Sequence, residues 1–131
     1  MAEFGTSLPL ESGWVLEGTD GAGKPLRLSF GKTELGRAYL GVVVGRHPLV
    51  ADRVLADPSV SRRHFRLGLA SGVPFIEDLN SLNGTQLDGA VLTPFQPAAV
   101  GDGQRIVCGN VSLVLRSLSR DPDRLRTERQ A

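Results

Sequence analysis

The sequence is poor in the residues that indicate a disulfide scaffold, an aromatic core or a membrane span. Its 131 residues include one cysteine, which excludes an intrachain disulfide and favours a reducing, cytoplasmic setting. Five Phe, one Tyr and one Trp are too few for an aromatic core, so the core must depend on Val, Leu and Ile. The apolar runs are too short to span a bilayer and no signal-peptide pattern opens the chain, so no membrane partner is expected.

Net charge is also nearly absent, at +1, and this argues against a nucleic-acid partner. The local balance differs, because residues 36–67 hold six arginines against two aspartates, a balance of +4. A neutral chain with one cationic segment favours a small anionic ligand over a long polyanion. The competing hypothesis, nucleic-acid binding through these arginines, predicts a steep dependence of binding on salt.

Turn-forming residues are abundant, with 16 Gly and 8 Pro spread along the chain. Between them lie short runs that alternate apolar and polar residues, such as Leu26–Phe30 and His64–Leu69, and β-branched runs such as Leu40–Val44. About ten such runs with frequent turns predict an all-β fold, either a sandwich or a barrel. The last two runs, Arg105–Cys108 and Val111–Leu115, predict a terminal hairpin, and the thiol of Cys108 is expected to be buried and inert.

Four local expectations accompany this pattern. Gly31–Arg37 and Thr93–Ala99 are expected to be loops, and Pro74 places Val73–Asp78 at a sheet edge or a strand start. Asn83-Gly84 predicts a turn in which both residues tolerate positive φ. A rival interpretation of Asp57–Phe65 as a capped helix is weak, because the chain lacks the other helices that a helical DNA-binding fold needs.

Residues 12–118 are therefore expected to form one domain. Residues 1–11 carry no periodicity and are expected to be a flexible N-terminal segment, of the kind that an expression vector adds. Residues 119–131 are expected to be a polar, charged C-terminal tail.

Two loops between predicted strands carry the polar groups that bind oxyanions. The first runs from Gly45-Arg46 to Ser61-Arg62-Arg63-His64, and the second is Asp78–Thr85. Arg presents a planar fork of donors that matches two phosphate oxygens, and Ser adds a hydroxyl donor. Arg46, Ser61 and Arg62 supply these groups, so the loops predict a site for a phosphate.

A hydrolase is the competing interpretation, since Ser61, His64 and Asp78 are the residue types of a catalytic triad. A Ser and a His three residues apart in a turn rarely adopt nucleophile–base geometry, and no Gly-x-Ser-x-Gly motif is present. No catalytic residue, metal or cofactor is therefore expected.

The order and spacing of Gly45-Arg46, Ser61-x-x-His64 and Asn83-Gly84, followed by Gly101-Asp102, resemble the forkhead-associated (FHA) domain family, from about Trp14 to Leu118. The resemblance implies a β-sandwich of about eleven mostly antiparallel strands, with loops at one end that bind phosphothreonine in a peptide. The implied partner is a phosphothreonine-containing protein, either a Ser/Thr kinase or its substrate. The alternative is a phospho-independent interaction or oligomerisation domain of the same fold, acting through a strand edge near Val73–Asp78.

The resemblance also implies residue roles. The phosphate-binding residues would be Arg46, Ser61 and Arg62, the peptide-backbone-binding residue would be Asn83, and the loop-shaping residues would be Gly45, His64 and Gly84. Two positions depart from the family pattern. Leu82 stands where members often carry a small hydroxyl residue that adds a phosphate contact. Ser59 is short where some members carry a charged residue that contacts a downstream ligand side chain.

Overall fold

The computed structural model describes residues 13–37 and 41–118, and the N-terminal segment 1–11 and the tail 119–131 lie outside them. The described residues form eleven strands and one short helix. In chain order they are β1 (Gly13–Thr19), β2 (Pro25–Gly31), α1 (Lys32–Leu35), β3 (Val42–Gly45), β4 (Arg53–Val54), β5 (Phe65–Ala70), β6 (Val73–Asp78), β7 (Thr85–Leu87), β8 (Ala90–Val91), β9 (Ala98–Ala99), β10 (Arg105–Cys108) and β11 (Val111–Ser117).

The strands form two sheets. One has six strands in the order β2-β1-β11-β10-β7-β8, and the other has five in the order β9-β6-β5-β3-β4. Only the β3–β4 pair is parallel among the described strands; the other pairs are antiparallel. The predicted all-β, mostly antiparallel sandwich is confirmed.

The core lies between the two sheets and is aliphatic, as the few aromatic residues require. From the six-stranded sheet come Leu16, Phe30, Ile106, Cys108, Val111, Leu113 and Leu115. From the five-stranded sheet come Val42, Val44, Phe65, Leu67 and Ile76. Leu35, Leu55, Val60 and Val100 from the connecting segments complete it. The alternation of buried and less buried residues along β5 and β11 shows why period two in the sequence predicted these strands.

Cys108 lies in this core and is fully buried. Burial, with a smaller effect from the charge of Asp57, raises the pKa of its thiol to about 12. The thiolate is the reactive form, so the thiol is inert at neutral pH, as the sequence analysis expected.

The expectation of a loop over Gly31–Arg37 was wrong, because the helix α1 begins there. The Glu34 carboxylate accepts a hydrogen bond from the backbone N–H of Gly31 (3.0 Å) and also pairs with Arg53. Leu35 is buried in the core, and this tertiary contact stabilises a turn that local propensity does not predict. Within residues 13–37 and 41–118, no helix is long and apolar enough to cross a membrane.

Val73–Asp78 was expected at a sheet edge or a strand start, and Pro74 does lie at the start of β6, but the strand is not a free sheet edge. β9 pairs with its centre, where Ala98 lies opposite Ile76 and Ala99 opposite Phe75. Thr93–Ala99, which was expected to be a loop, therefore contains a strand that covers this edge. The backbone N–H groups of Val100 and Phe95 also donate to carbonyls of β6. A two-residue strand directly after Pro97 has too little pattern to be predicted. The rival helix over Asp57–Phe65 is absent, and this segment consists of turns that lead into β5.

Candidate functional site

A groove opens at one end of the sandwich, where three loop segments meet. Its volume is about 690 Å³, and its walls come from residues 46–50, 58–63 and 80–83. Three arginines, Arg46, Arg62 and Arg63, line it together with His47. None of the described residues that line it is Asp or Glu. We call this the cationic groove.

Arg46 is anchored so that the tip of its side chain stays available. Its backbone N–H donates to the Ser61 carbonyl (2.9 Å), and its Nε donates to the Val60 carbonyl (2.9 Å). These bonds fix the guanidinium but engage neither terminal nitrogen. The two η nitrogens are the pair that can donate in parallel to two oxygens of a phosphate.

Gly45 lets the strand approach the opposite loop. A Cβ at this position would lie 2.1 Å from the carbonyl oxygen of Arg62, closer than any real contact. Only glycine permits this approach, which brings Arg46 beside the Ser61 loop. Gly84 requires glycine for a different reason. Its φ is +80, a left-handed conformation that favours glycine, whereas the space around it is open. Asn83 and Gly84 both tolerate positive φ, but of the two only Gly84 adopts it, and Asn80 (φ 61) is a second left-handed residue of this loop.

Ser61 faces the groove with its hydroxyl proton unused. Its Oγ accepts a hydrogen bond from the backbone N–H of Leu82 (3.0 Å), which ties the first loop to the second. A hydroxyl that accepts from Leu82 keeps its own O–H to donate to a ligand.

His64 is fully buried and braces both loops. Its Nδ1 accepts from the backbone N–H of Ser61 (3.0 Å), so its Nε2 carries the proton and donates to the Gly84 carbonyl (2.8 Å). Burial lowers the pKa of His64, outweighing the Gly84 carbonyl and the charge of Asp78, which act in the opposite direction. The neutral imidazole is therefore the form that holds the loops together.

This arrangement is not a hydrolytic triad. Both imidazole nitrogens of His64 bond to main-chain atoms, and neither bonds to the Ser61 hydroxyl. The Asp78 carboxylate accepts from the hydroxyls of Ser81 and Thr85 (2.6 and 2.7 Å) and from the Ser81 N–H (3.1 Å). Asp78 thus shapes the second loop from a buried position and does not orient His64 as a base.

Asp57 organises the first loop in the same way. One oxygen accepts from the backbone N–H and hydroxyl of Ser59 (2.9 and 2.6 Å), and the other accepts from the N–H of Gly21 (2.8 Å). The bonds from Ser59, and then that from Gly21, hold the pKa of Asp57 below its usual range. The carboxylate is thus used to hold protein donors in place and does not line the groove.

Ser59 and Asn83 join the two loops. Asn83 donates its side-chain N–H to the Ser59 carbonyl (2.8 Å), and the Ser59 hydroxyl accepts from the Asn110 N–H (2.8 Å). The Asn83 amide oxygen keeps its lone pairs for a ligand backbone. Because the Ser59 side chain is occupied between Asp57 and Asn110, it is poorly placed to contact a ligand.

All the sequence-predicted site residues are thus assembled at this end of the sandwich. Arg46, Ser61, Arg62 and Asn83 line the cationic groove, while Gly45, His64 and Gly84 lie behind it. His47 and Arg63 also line the groove, although no role was predicted for them from the sequence. In the sequence His47 directly follows Arg46 and Arg63 directly follows Arg62, and this adjacency could have identified them as groove residues.

A β-sandwich with a cationic groove built from its end loops has counterparts among known proteins. The family model described as "FHA domain" matches residues 42–109, more than half of the chain. The chain belongs to the FHA domain family.

Curated relatives come from Mycobacterium tuberculosis. The FHA domain-containing protein FhaA is 31% identical over 102 residues, which is 78% of this chain and 17% of FhaA. The FHA domain-containing protein FhaB is 40% identical over 63 residues, which is 48% of this chain and 39% of FhaB. The chain thus spans well under half the length of these relatives.

Solved structures of FHA domains have a similar fold. The FHA domain of the CT664 protein from Chlamydia trachomatis superposes with a TM-score of 0.65 at 27% identity, covering 79% of this chain and 96% of that one. The FhaA FHA domain complexed with the intracellular domain of Rv3910 has a TM-score of 0.58 at 29% identity, covering 79% and 99%.

Two glycine substitutions test the loop geometry. We expect Gly45→Ala to cost about 3 kcal/mol or more of unfolding free energy, because the new methyl group meets the Arg62 backbone. Gly84→Ala should cost about 1–2 kcal/mol, the penalty of a left-handed residue without a clash. Urea denaturation measures both, with Gly23→Ala (φ +82, open space) as the matched control for Gly84→Ala. Equal costs for Gly45→Ala and Gly84→Ala would contradict the assigned contact.

The lowered pKa of His64 predicts a pH dependence. In the unfolded chain His64 binds a proton near pH 6.5, whereas in the folded protein it stays neutral to lower pH. Its stabilising contribution is present above pH 6.5 and is lost as the pH falls from there through the folded pKa. Denaturation at a series of pH values should show this loss in the wild type and a flatter profile in His64→Gln. Parallel profiles for the wild type and His64→Gln would refute the prediction.

Proposed function

We propose that this chain is a phosphothreonine-dependent peptide-binding module that acts in Ser/Thr-kinase signalling or regulated assembly. The observation that carries the proposal is the cationic groove, where guanidinium groups and a free hydroxyl converge while the nearby carboxylates are occupied by protein donors. A dianionic phosphate is the small ligand that this distribution of charge fits.

The proposed roles follow from the donors that the fold leaves available. The η nitrogens of Arg46 and the hydroxyl of Ser61 would donate to phosphate oxygens, and the exposed guanidinium of Arg62 would add charge. Asn83 would bond the peptide main chain through its amide oxygen, so that backbone as well as phosphate is held. Gly45, His64 and Gly84 would contribute only through loop shape.

Relatives support this proposal. One solved FHA structure with a TM-score of 0.59 at 29% identity comes from work on phosphothreonine-dependent FHA domain interactions. The FhaA FHA domain has been seen with the intracellular domain of another protein. By analogy, the partner of this chain would be a phosphothreonine-containing protein, either a Ser/Thr kinase or its substrate. The single buried thiol is in keeping with a cytoplasmic setting.

The strength of binding can be bounded. Charge-assisted hydrogen bonds contribute about 1.5–3 kcal/mol each, and ordering a flexible peptide offsets several kcal/mol. A Kd near micromolar, about −8 kcal/mol, is the expected result. The module would then release its partner readily when a phosphatase acts.

The alternative, a phospho-independent interaction domain, depended on a free edge along β6. Because β9 covers the centre of that edge, the structure offers this alternative less surface than the sequence suggested.

Replacement of Arg46 tests the proposal. We expect Arg46→Ala to weaken binding of a phosphothreonine peptide by about 100-fold or more, because it removes the paired donors and their charge. Isothermal titration calorimetry with phosphorylated and unphosphorylated forms of one peptide measures this. Arg27→Ala is the control, since Arg27 is an exposed arginine of β2 that pairs with Glu17 away from the groove. Equal affinity of the wild type for the two peptide forms would refute the proposal.

A further inference from the structure

Three large aliphatic side chains project into solvent around the cationic groove. Leu82 is 89% exposed, Leu49 is 86% exposed and Val50 is 46% exposed, and all three line the groove. They are three of the eight large hydrophobic residues that are exposed among the described residues. Exposed apolar residues scattered singly need no explanation, but a group of them in one groove indicates contact with a ligand. We call Leu49, Val50 and Leu82 the apolar rim.

The backbone of the rim is fixed by hydrogen bonds. The N–H of Leu82 donates to the Ser61 hydroxyl oxygen (3.0 Å), and the N–H of Leu49 donates to Nδ1 of His47 (3.1 Å). The N–H of Val50 donates to the His47 carbonyl (3.1 Å). The loops therefore hold these side chains outward from positions tied to the groove itself, and a ligand that covers them would not have to order the loops first.

The rim and the arginines together restrict the chemistry of the ligand. Leu82 and Ser61 share a hydrogen bond, so an apolar surface begins next to the hydroxyl that would bind phosphate. Ser59, another short polar residue that lines the groove, has its hydroxyl occupied by Asp57 and Asn110. The groove thus offers cationic donors for one anionic group and aliphatic contacts beside it.

We propose that the groove selects phosphothreonine segments that carry an aliphatic side chain close to the phosphothreonine, with Leu49, Val50 and Leu82 as the specificity-determining residues. This rests on the proposed phosphopeptide function. An aliphatic side chain that covers Leu82 or Leu49 removes apolar surface from water on both partners, which favours binding. Leu82 thereby has a positive role at the position where a hydroxyl residue would have contacted phosphate.

A leucine scan tests this proposal. The probes are fluorescent phosphothreonine peptides of roughly nine residues in which serine fills every other position and one leucine is moved through the flanks. We expect at least one leucine position to tighten binding to the wild type about tenfold, equivalent to about 1.4 kcal/mol. Fluorescence anisotropy gives the Kd for each peptide.

The variants separate the rim from the phosphate site. A Leu49→Ala/Leu82→Ala double variant, which adds no hydroxyl beside the phosphate site, should lose the leucine preference and keep wild-type affinity for the all-serine phosphopeptide. Both side chains are exposed, so the melting temperature should change little. Val73→Ala is the matched control, because Val73 is also exposed (52%) but lies at the start of β6, away from the groove. It should behave as the wild type.

The results that would contradict the rim proposal can be distinguished from those that would contradict the proposed function. If phosphopeptides bind but no leucine position tightens binding, or if the double variant keeps the preference, the rim proposal fails and the proposed function stands. If no phosphothreonine peptide binds better than its unphosphorylated form, both fail. If vesicles of phosphatidylcholine with phosphatidylserine bind the wild type, those of phosphatidylcholine alone do not, and the double variant loses this binding, the rim serves a membrane surface and the proposal is overturned.

Discussion

The buried imidazole of His64 is the contact on which the geometry of the groove depends. One of its nitrogens holds the Ser61 loop, which connects β4 and β5 of the five-stranded sheet. The other holds the loop that ends at Gly84, which crosses from β6 of that sheet to β7 of the six-stranded sheet. A neutral histidine can accept at one nitrogen and donate at the other, which a charged imidazolium cannot. Burial keeps it neutral, so the packing of the core and the shape of the groove depend on the same side chain.

The groove also shows how acidic residues next to an anion site can serve its structure. Asp57 and Asp78 lie close behind the loops, and each carboxylate accepts three hydrogen bonds from hydroxyl and backbone N–H donors. These donors stabilise the charges in place and make rigid turns of the two loops. Arg46, in contrast, bonds within the protein through its backbone N–H and its Nε and keeps its terminal nitrogens for a ligand. Arg62 and Arg63 are exposed. The sign of the nearby charges alone therefore does not describe the site. It matters more which hydrogen-bond donors already have a partner within the protein and which remain available to a ligand.

Much of the fold and of the candidate site was predictable from the sequence, because it depends on local sequence patterns. Alternating apolar residues predicted most strands, and the spacing of Arg46, Ser61, His64 and Asn83 identified residues that the structure brings to one end of the sandwich. The short helix α1 and the two-residue strand β9 were missed, because both depend on tertiary contacts that leave little local pattern.

The contacts that shape the two loops could not be predicted, because they join residues that are far apart along the chain. Asp57 bonds to Gly21 across 36 positions, and Ser59 bonds to Asn110 across 51 positions. The apolar rim likewise combines residues from two separate loops, and no periodicity links them. Nothing in the sequence indicated that Leu82 would be exposed beside the Ser61 hydroxyl.

The central claim is that a phosphate occupies the cationic groove between Arg46, Ser61 and Arg62. It is tested most directly by two-dimensional ¹H–¹⁵N NMR during titration with a phosphothreonine peptide and with its unphosphorylated form. The account predicts that the phosphorylated peptide alone shifts the backbone amides of Arg46, Ser61 and Leu82 and the side-chain amide of Asn83. Shifts confined to the outer face of the five-stranded sheet, or equal shifts with both peptides, would contradict it.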